Sequence, residues 1–155
     1  MTDGGDCSVN TFDMTYPPCL QQPMTRQQVA EVPTSALAYL GDAVYELYVR
    51  LHYLIPPKTP KGYHRAVTAQ VRAEQQAAFL ETLDLTPDEQ DVVRRGRNAA
   101  GPPSRRLAPE IYQRATGLEA LVGYLYLSNP DRLTQILDQL LGQLSSPNSS
   151  DYIGE

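Results

Sequence analysis

The sequence contains no tryptophan, only two cysteines and two histidines, and no long apolar run. Cys7 and Cys19 lie outside every periodic segment, and no Cys or His cluster has metal-ligand spacing, which argues against a disulfide scaffold or a zinc site. No segment approaches the roughly 20 apolar residues that a membrane span needs, and no apolar run follows a basic start. These absences predict a soluble cytoplasmic protein without a membrane partner.

Positive charge is also scarce, because 13 Lys and Arg face 18 Asp and Glu, for a formal charge of -5. This balance argues against a protein that holds nucleic acid by bulk charge alone, so any such binding needs a local patch. With 155 residues, 41% of them hydrophobic, the chain fits one globular domain with one core.

The two ends of the chain mix Gly, Ser, Asp, Asn and Pro without a period. We therefore expect a disordered N-terminal extension over residues 1–23, a working domain over 24–144 and a disordered tail over 145–155. The extension carries both cysteines, and no role is assigned to it.

Helical periodicity runs through the domain and no segment alternates with period two, so the predicted fold is all-α. Caps and prolines delimit the elements, as in Thr59-Pro60, in the capping box Thr86-Pro87-Asp88-Glu89 and in Asn129-Pro130. The predicted helices cover about 34–55, 60–83, 86–97, 108–127 and 129–141.

Two carboxylates, Asp42 and Glu46, lie one turn apart in a nearly apolar stretch of the first long helix. Glu119 lies in a second such stretch, among Ala, Leu and Gly residues. An ionised carboxylate is costly to take out of water unless a cation compensates it, and a divalent metal can serve several carboxylates together. If the two helices face each other across one core, Asp42 and Glu119 could build a two-helix acidic site.

These segments resemble a known family. The motif Leu40-Gly41-Asp42-Ala43-Val44, with the later Glu119-Ala120-Leu121-Val122-Gly123, resembles the catalytic core of ribonuclease III enzymes. Three ordered segments, residues 36–46, 94–99 and 115–121, resemble more closely Mini-ribonuclease III, the ribonuclease III catalytic domain without an appended double-stranded-RNA-binding domain.

The resemblance implies an all-helical homodimer that cleaves both strands of double-stranded RNA with Mg²⁺ and leaves 5′-phosphate and 3′-hydroxyl ends. It further implies a role in maturation of the 23S ribosomal RNA precursor. The family's catalytic aspartate corresponds to Asp42 and its metal-binding glutamate to Glu119, so we expect both residues to serve as catalytic metal ligands.

Two positions depart from full-length ribonuclease III. Ala38 stands where that enzyme has a glutamate ligand, and Thr116 stands where it has an aspartate. A metal ion here would keep more water or bind substrate phosphate, which Mg²⁺ tolerates because it often binds through one or two carboxylates. These departures resemble the Mini-ribonuclease III pattern.

Glu46 has two readings from the sequence. In one it is a metal ligand or a residue behind the ligands, and in the other it forms an ordinary helical pair with Arg50 four residues later. Both readings stay open at this point.

A basic stretch over residues 94–114 holds six arginines and one acid. A solvated helix end would explain some of these cations, but a loop with Gly101 and two prolines could present them to the phosphates of A-form RNA. Cations of the second helix could extend this patch, although packing or capping is as good an explanation for His64. The expected RNA-binding residues are Arg94, Arg95, Arg97, Arg105, Arg106, Lys58, Lys61 and Arg65.

The rival interpretation is a non-catalytic helical dimer that binds duplex RNA or ribosome-assembly partners. Asp42 and Glu119 count against it, and the missing acids at Ala38 and Thr116 count for it. A helical phosphohydrolase of small nucleotides would need several His residues or an HD pair, and the chain has only His52 and His64.

Overall fold

The computed structural model describes residues 24–103, 106–144 and 146–153, and these form helices joined by short loops. The part of the chain in view holds no β-strand, only one isolated bridge between Lys58 and Tyr152. The predicted all-α fold is confirmed. The helices are α1 (Arg26–Ala30), α2 (Thr34–Leu54), α3 (Pro60–Gln70), α4 (Ala73–Glu81), α5 (Pro87–Ala99), α6 (Pro109–Ser128) and α7 (Pro130–Leu141), followed by a 3₁₀ turn at Ser149–Asp151.

Several of these helices begin at the capping residues that were predicted from the sequence. The Thr86 hydroxyl accepts a hydrogen bond from Glu89 N (3.3 Å), and Glu89 Oε2 accepts one from Thr86 N (2.9 Å), which completes the capping box of α5. Thr59 caps α3 through Gly62 N (3.1 Å), with Pro60 in the first turn. The helix starts could therefore be predicted from local chemistry.

The predicted helix over 60–83 is two helices. Val71 closes α3 through its N–H to Val67 O (3.1 Å), and Arg72 then takes an extended conformation (φ -68°, ψ 147°) that begins α4. No proline or glycine marks this break in the sequence. The change of direction lets α4 bury Ala77 and Phe79, so tertiary packing overrides the continuous helical pattern.

Helices α2 and α6 cross at the centre of the domain, and two glycines allow their backbones to touch. A Cβ added at Gly41 would overlap the Glu119 carbonyl oxygen and lie 2.7 Å from Gly123 N. A Cβ added at Gly123 would likewise overlap the Leu37 carbonyl oxygen. The crossing carries the middle of α2, with Asp42, against the middle of α6, with Glu119.

Around this crossing, α4, α5 and α7 complete one apolar core. Tyr45, Val49, Leu118 and Leu121 are at most 1% exposed and lie at its centre. No helix in the described ranges is long and apolar enough to cross a membrane.

The chain end differs from the expected disordered tail. Residues 146–153 fold back against α3, where Thr59 N donates to Asp151 O (2.9 Å) and the Asp151 side chain is 3% exposed. The Asp151 carboxylate also pairs with Arg65. The polar composition of this segment hid these specific contacts. The expected disorder of residues 1–23 lies outside the described residues.

Candidate active site

Asp42 projects from the middle of α2 into solvent beside the crossing with α6. Its pKa is raised above the usual 3.8, first because the surrounding protein removes part of its hydration and second because the charge of Glu46 lies close by. A nearby cation would therefore stabilise the ionised form of Asp42.

Glu119 comes from α6 and is more deeply placed than Asp42. Burial, and then the charge of Asp42, raise its pKa from 4.5 to about 7, while a hydrogen bond from Gln76 opposes the rise. The structure thus brings together the two acids that the sequence paired, and each lies in a setting that disfavours its negative charge.

Glu46 forms the helical pair that was one of its two readings. Arg50 Nε donates to Glu46 Oε1 (2.9 Å), and Arg50 Nη2 contacts the same oxygen. The charge of Glu46 nevertheless reaches Asp42. Glu46 is therefore a neighbour of the acidic pair whose carboxylate is already engaged by a cation.

Ala38 and Thr116, the two positions without acids, have structural contacts. Ala38 is 6% exposed and packs with Val92 and Ala120, and the Thr116 hydroxyl donates to Tyr112 O (3.0 Å) within its own helix. Within the described residues, no group of three or more His, Cys, Asp or Glu side chains could hold a metal ion. Any divalent ion at Asp42 and Glu119 needs further oxygen ligands from water or RNA, which suits Mg²⁺.

Gln76 is a member of this site that the sequence reasoning missed. It lies on α4, is 2% exposed, and lies close enough to the Glu119 carboxylate to lower its pKa as a hydrogen-bonding neighbour. Within the polar run Glu74-Gln75-Gln76 it looks solvated. A usable signal was its spacing, because Gln76 shares a helical face with Leu80, four residues later.

The basic residues of α5 and of the loop that follows it differ in whether an acid pairs with them. Arg94 and Arg95 both pair with Asp91, the latter through Nε at 3.1 Å. Arg97 and Arg106 are exposed and form no ion pair within the part of the chain that the structure covers. Arg105 lies outside the described residues.

The cations in α3 and in the loop before it divide in the same way. Lys58 was expected to contact RNA, but it is only 8% exposed, and its Nζ donates to Tyr53 O (2.6 Å) and Pro56 O (2.9 Å). The centroid of the Tyr152 ring lies 5.2 Å from this Nζ. The expectation for Lys58 is corrected, because the folded-back chain end covers it.

Of the remaining α3 cations, Lys61 is exposed, whereas Arg65 pairs with Asp151. The His64 side chain lies near the hydroxyl of Thr68 (Nε2 to Oγ1 3.4 Å), which donates to His64 O (2.7 Å). These contacts fit the local structural role that was one reading of His64.

Asp42 is exposed and Glu119 is half-buried, and neither of them lines the cavity in the helical bundle. That cavity, of about 730 Å³, is lined mainly by α1, α5, α6 and α7, and four of its charged side chains pair with one another: Arg132 Nε with Glu89 Oε1 at 2.8 Å and Arg26 Nη2 with Asp88 Oδ1 at 2.6 Å. An exposed acid outside an enclosed cavity suits a large substrate better than a small molecule.

Comparison with known proteins identifies the family to which the chain is similar. Residues 35–130 match the ribonuclease III domain family. A Mini-ribonuclease 3 of Synechocystis sp. is 53% identical over 130 residues, covering 83% of this chain and 88% of that protein. A Mini-ribonuclease 3 of Thermosynechococcus vestitus is 51% identical over 118 residues, covering 75% and 78%.

A crystal structure of a Fusobacterium nucleatum protein superimposes with a TM-score of 0.68 at 26% identity, covering 74% of this chain and 96% of that one. This agrees with the helical architecture around Asp42 and Glu119. The matched domain and the similarity to Mini-ribonuclease 3 proteins extend over most of the chain. The chain therefore belongs to the ribonuclease III family, in its Mini-ribonuclease 3 group, and is an endoribonuclease of double-stranded RNA.

Proposed function

We propose that Asp42 and Glu119 hold Mg²⁺ and form the catalytic centre of this endoribonuclease. The observation that carries the proposal is the meeting of two acids from α2 and α6, where burial and the charge of Asp42 raise the pKa of Glu119 to about 7. A divalent cation would relieve both effects, because it compensates charge that water no longer solvates.

Each acid would have its own part in the site. Asp42 is exposed and can meet both the ion and the RNA, whereas Glu119 lies deeper, where its orientation is held by its neighbours. When bound, Mg²⁺ supplies Lewis-acid polarisation of the scissile phosphate and neutralises charge that develops there. The expected products are a 5′-phosphate and a 3′-hydroxyl.

We further propose that exposed cations of this domain bind the RNA backbone. Arg97 at the end of α5 and Arg106 in the following loop are exposed, as is Lys61 at the start of α3. Cations placed in this way can contact phosphates without reading bases, which is how proteins recognise A-form RNA. Arg94, Arg95, Arg65 and Arg105 stay in the proposal as further contacts, the first three of them after exchange of an acidic partner for phosphate.

The surface of α2 supports a homodimer. Its exposed side carries Tyr39, 85% exposed, then Leu47 and Leu54, both 51% exposed, and continues at Ile55, 71% exposed. Asp42 lies between the first two of these along the same helix. A second copy packed on this apolar side would bring a second acidic pair near the first, and a two-fold dimer matches the two strands of a duplex.

The proposed natural substrate is the 23S ribosomal RNA precursor. This assignment is supported by the resemblance of residues 36–46, 94–99 and 115–121 to Mini-ribonuclease III. Sequencing the RNA ends that accumulate in cells lacking the protein tests it. Unprocessed 23S ends would support the assignment, and normal 23S ends would overturn it.

A cleavage assay tests the metal site. Purified protein is incubated with perfect duplex RNA, with Mg²⁺ or with a chelator. We expect cutting only with Mg²⁺, and loss of at least about 100-fold in rate for Asp42→Asn. Asp131→Asn, at an exposed position on α7, is the matched control and should cut like the wild type. Equal cutting by Asp42→Asn would overturn the assignment of Asp42.

A further inference from the structure

Gln76 is the only amide among the buried polar and charged side chains of the described residues. It is carried by α4, which packs against α6, and Ala77 and Phe79 of the same helix are also buried. A buried amide is costly unless its polar atoms find partners. The carboxylate of Glu119 is such a partner.

A hydrogen bond between these two neighbouring groups has only one possible direction. An ionised carboxylate can only accept, so the amide nitrogen of Gln76 donates to Glu119. A carboxylate has two oxygens and about four acceptor sites, and one donated bond leaves room for a metal ion. The amide therefore restrains Glu119 without occupying it.

A neutral donor has an advantage over a cation at this place. Lysine or arginine beside Glu119 would neutralise the acidic pair and compete with a divalent ion for it. An amide orients the carboxylate and adds no charge. Because Ala38 and Thr116 supply no acid, the site depends on the orientation of only two carboxylates.

We propose that Gln76 is a positioning residue, which holds the Glu119 carboxylate beside Asp42 in the orientation that binds the divalent ion. The inference rests on the proposed metal site at these two acids. Residues that hydrogen-bond to metal ligands commonly contribute 10 to 100-fold, roughly, to metal affinity.

The test compares Gln76→Met with Gln75→Met. Methionine matches glutamine in length and in helix propensity but cannot donate, and Gln75 is the exposed neighbour on the same helix. Titration calorimetry with Mg²⁺ and with Mn²⁺ should show affinity lowered about 10-fold or more for Gln76→Met. Gln75→Met should bind like the wild type.

Kinetics add a readout that a packing defect would not produce. For Gln76→Met we expect a higher Mg²⁺ concentration for half-maximal cleavage, while kcat at saturating Mg²⁺ returns close to that of the wild type. A loss of kcat that Mg²⁺ does not restore, with unchanged ion affinity, would overturn the positioning role. Thermal unfolding by circular dichroism checks that the variant is folded.

A third variant distinguishes the role of Gln76 from the proposed metal site on which it rests. Glu119→Gln should abolish most ion binding, and adding Gln76→Met to it should change the residual affinity no further. If Glu119→Gln loses ion binding and Gln76→Met alone does not, the metal site stands and the role of Gln76 falls. If Glu119→Gln binds like the wild type, both fall. If Gln76→Met does not fold, Gln76→Leu in the same titration decides.

Discussion

Glu119 and Asp42, which lie far apart in the chain, are close enough in the fold for the charge of Asp42 to add to the effect of burial on Glu119. Together these two influences raise the pKa of Glu119 from 4.5 to about 7. The proposed metal ligand is therefore a carboxyl group whose protonation changes near neutral pH. Metal binding and proton binding compete for it.

The first prediction concerns pH. Below about pH 7 the protonated Glu119 cannot bind Mg²⁺ well, so cleavage at limiting Mg²⁺ should rise as pH increases through 7. Raising the Mg²⁺ concentration should move the midpoint to lower pH, because the ion displaces the proton. Initial rates across pH at two Mg²⁺ concentrations measure this. A pH midpoint that does not change with the Mg²⁺ concentration would contradict the prediction.

The second prediction concerns stability without metal. An acid whose pKa is higher in the folded state than in the unfolded state makes the protein less stable as pH rises, here between about 4.5 and 7. Glu119→Gln removes this cost and should raise the free energy of unfolding by about 2 kcal/mol at pH 8 in chelator. Urea unfolding measures it, with the exposed Glu31→Gln as control. A destabilised Glu119→Gln would count against the raised pKa.

A third prediction addresses the helix crossing. Gly41→Ala places a methyl group onto the Glu119 backbone, which cannot move without separating α2 from α6. We expect a loss of about 3 kcal/mol or more in unfolding free energy, or no folded protein. Gly101→Ala is the matched control, because a Cβ there meets nothing within 4 Å. Similar stability of the two variants would show that the helices do not touch.

The fourth prediction concerns the folded-back chain end. Asp151→Ala removes a buried carboxylate from Arg65, but Arg65 is half-exposed and water can solvate it again. The expected loss is therefore moderate, about 1 to 2 kcal/mol. Arg94→Ala, which breaks an exposed pair with Asp91, should cost clearly less than Asp151→Ala, because water screens an exposed ion pair. Thermal unfolding of both variants checks the order, and the reverse order would contradict the packed position of Asp151.

The fifth prediction concerns RNA binding. Arg97→Ala should weaken binding to duplex RNA of any sequence and lower the slope of log affinity against log salt by about 1. Binding is measured in chelator, so that cleavage does not interfere. Arg26→Ala is the control, because Arg26 pairs with Asp88 on another part of the surface. An unchanged salt slope for Arg97→Ala would remove it from the proposed RNA surface.

Local chemistry explains what could be predicted from the sequence. The caps at Thr59 and Thr86 depend on neighbouring residues, and the acids Asp42 and Glu119 stand out because their neighbours are apolar or small. Each of these signals lies within one turn or one helix. The all-α fold and the pairing of the two acidic segments followed from them.

What could not be predicted depends on contacts between distant segments. The break before Arg72 has no local breaker and exists because α4 packs on α6. Lys58 resembles a surface cation until the chain end covers it, and Gln76 resembles a solvated residue until α6 supplies Glu119. Such residues need the tertiary structure because their partners are remote in sequence.

The glycine contact between α2 and α6 has one more consequence. Where helices meet through side chains, substitutions in the core shift them relative to each other. Here the main chain itself sets the separation at Gly41 and Gly123. The distance between the two acids should therefore stay constant while the surrounding apolar residues diverge among relatives. The core can then change over evolution without moving the two acids apart.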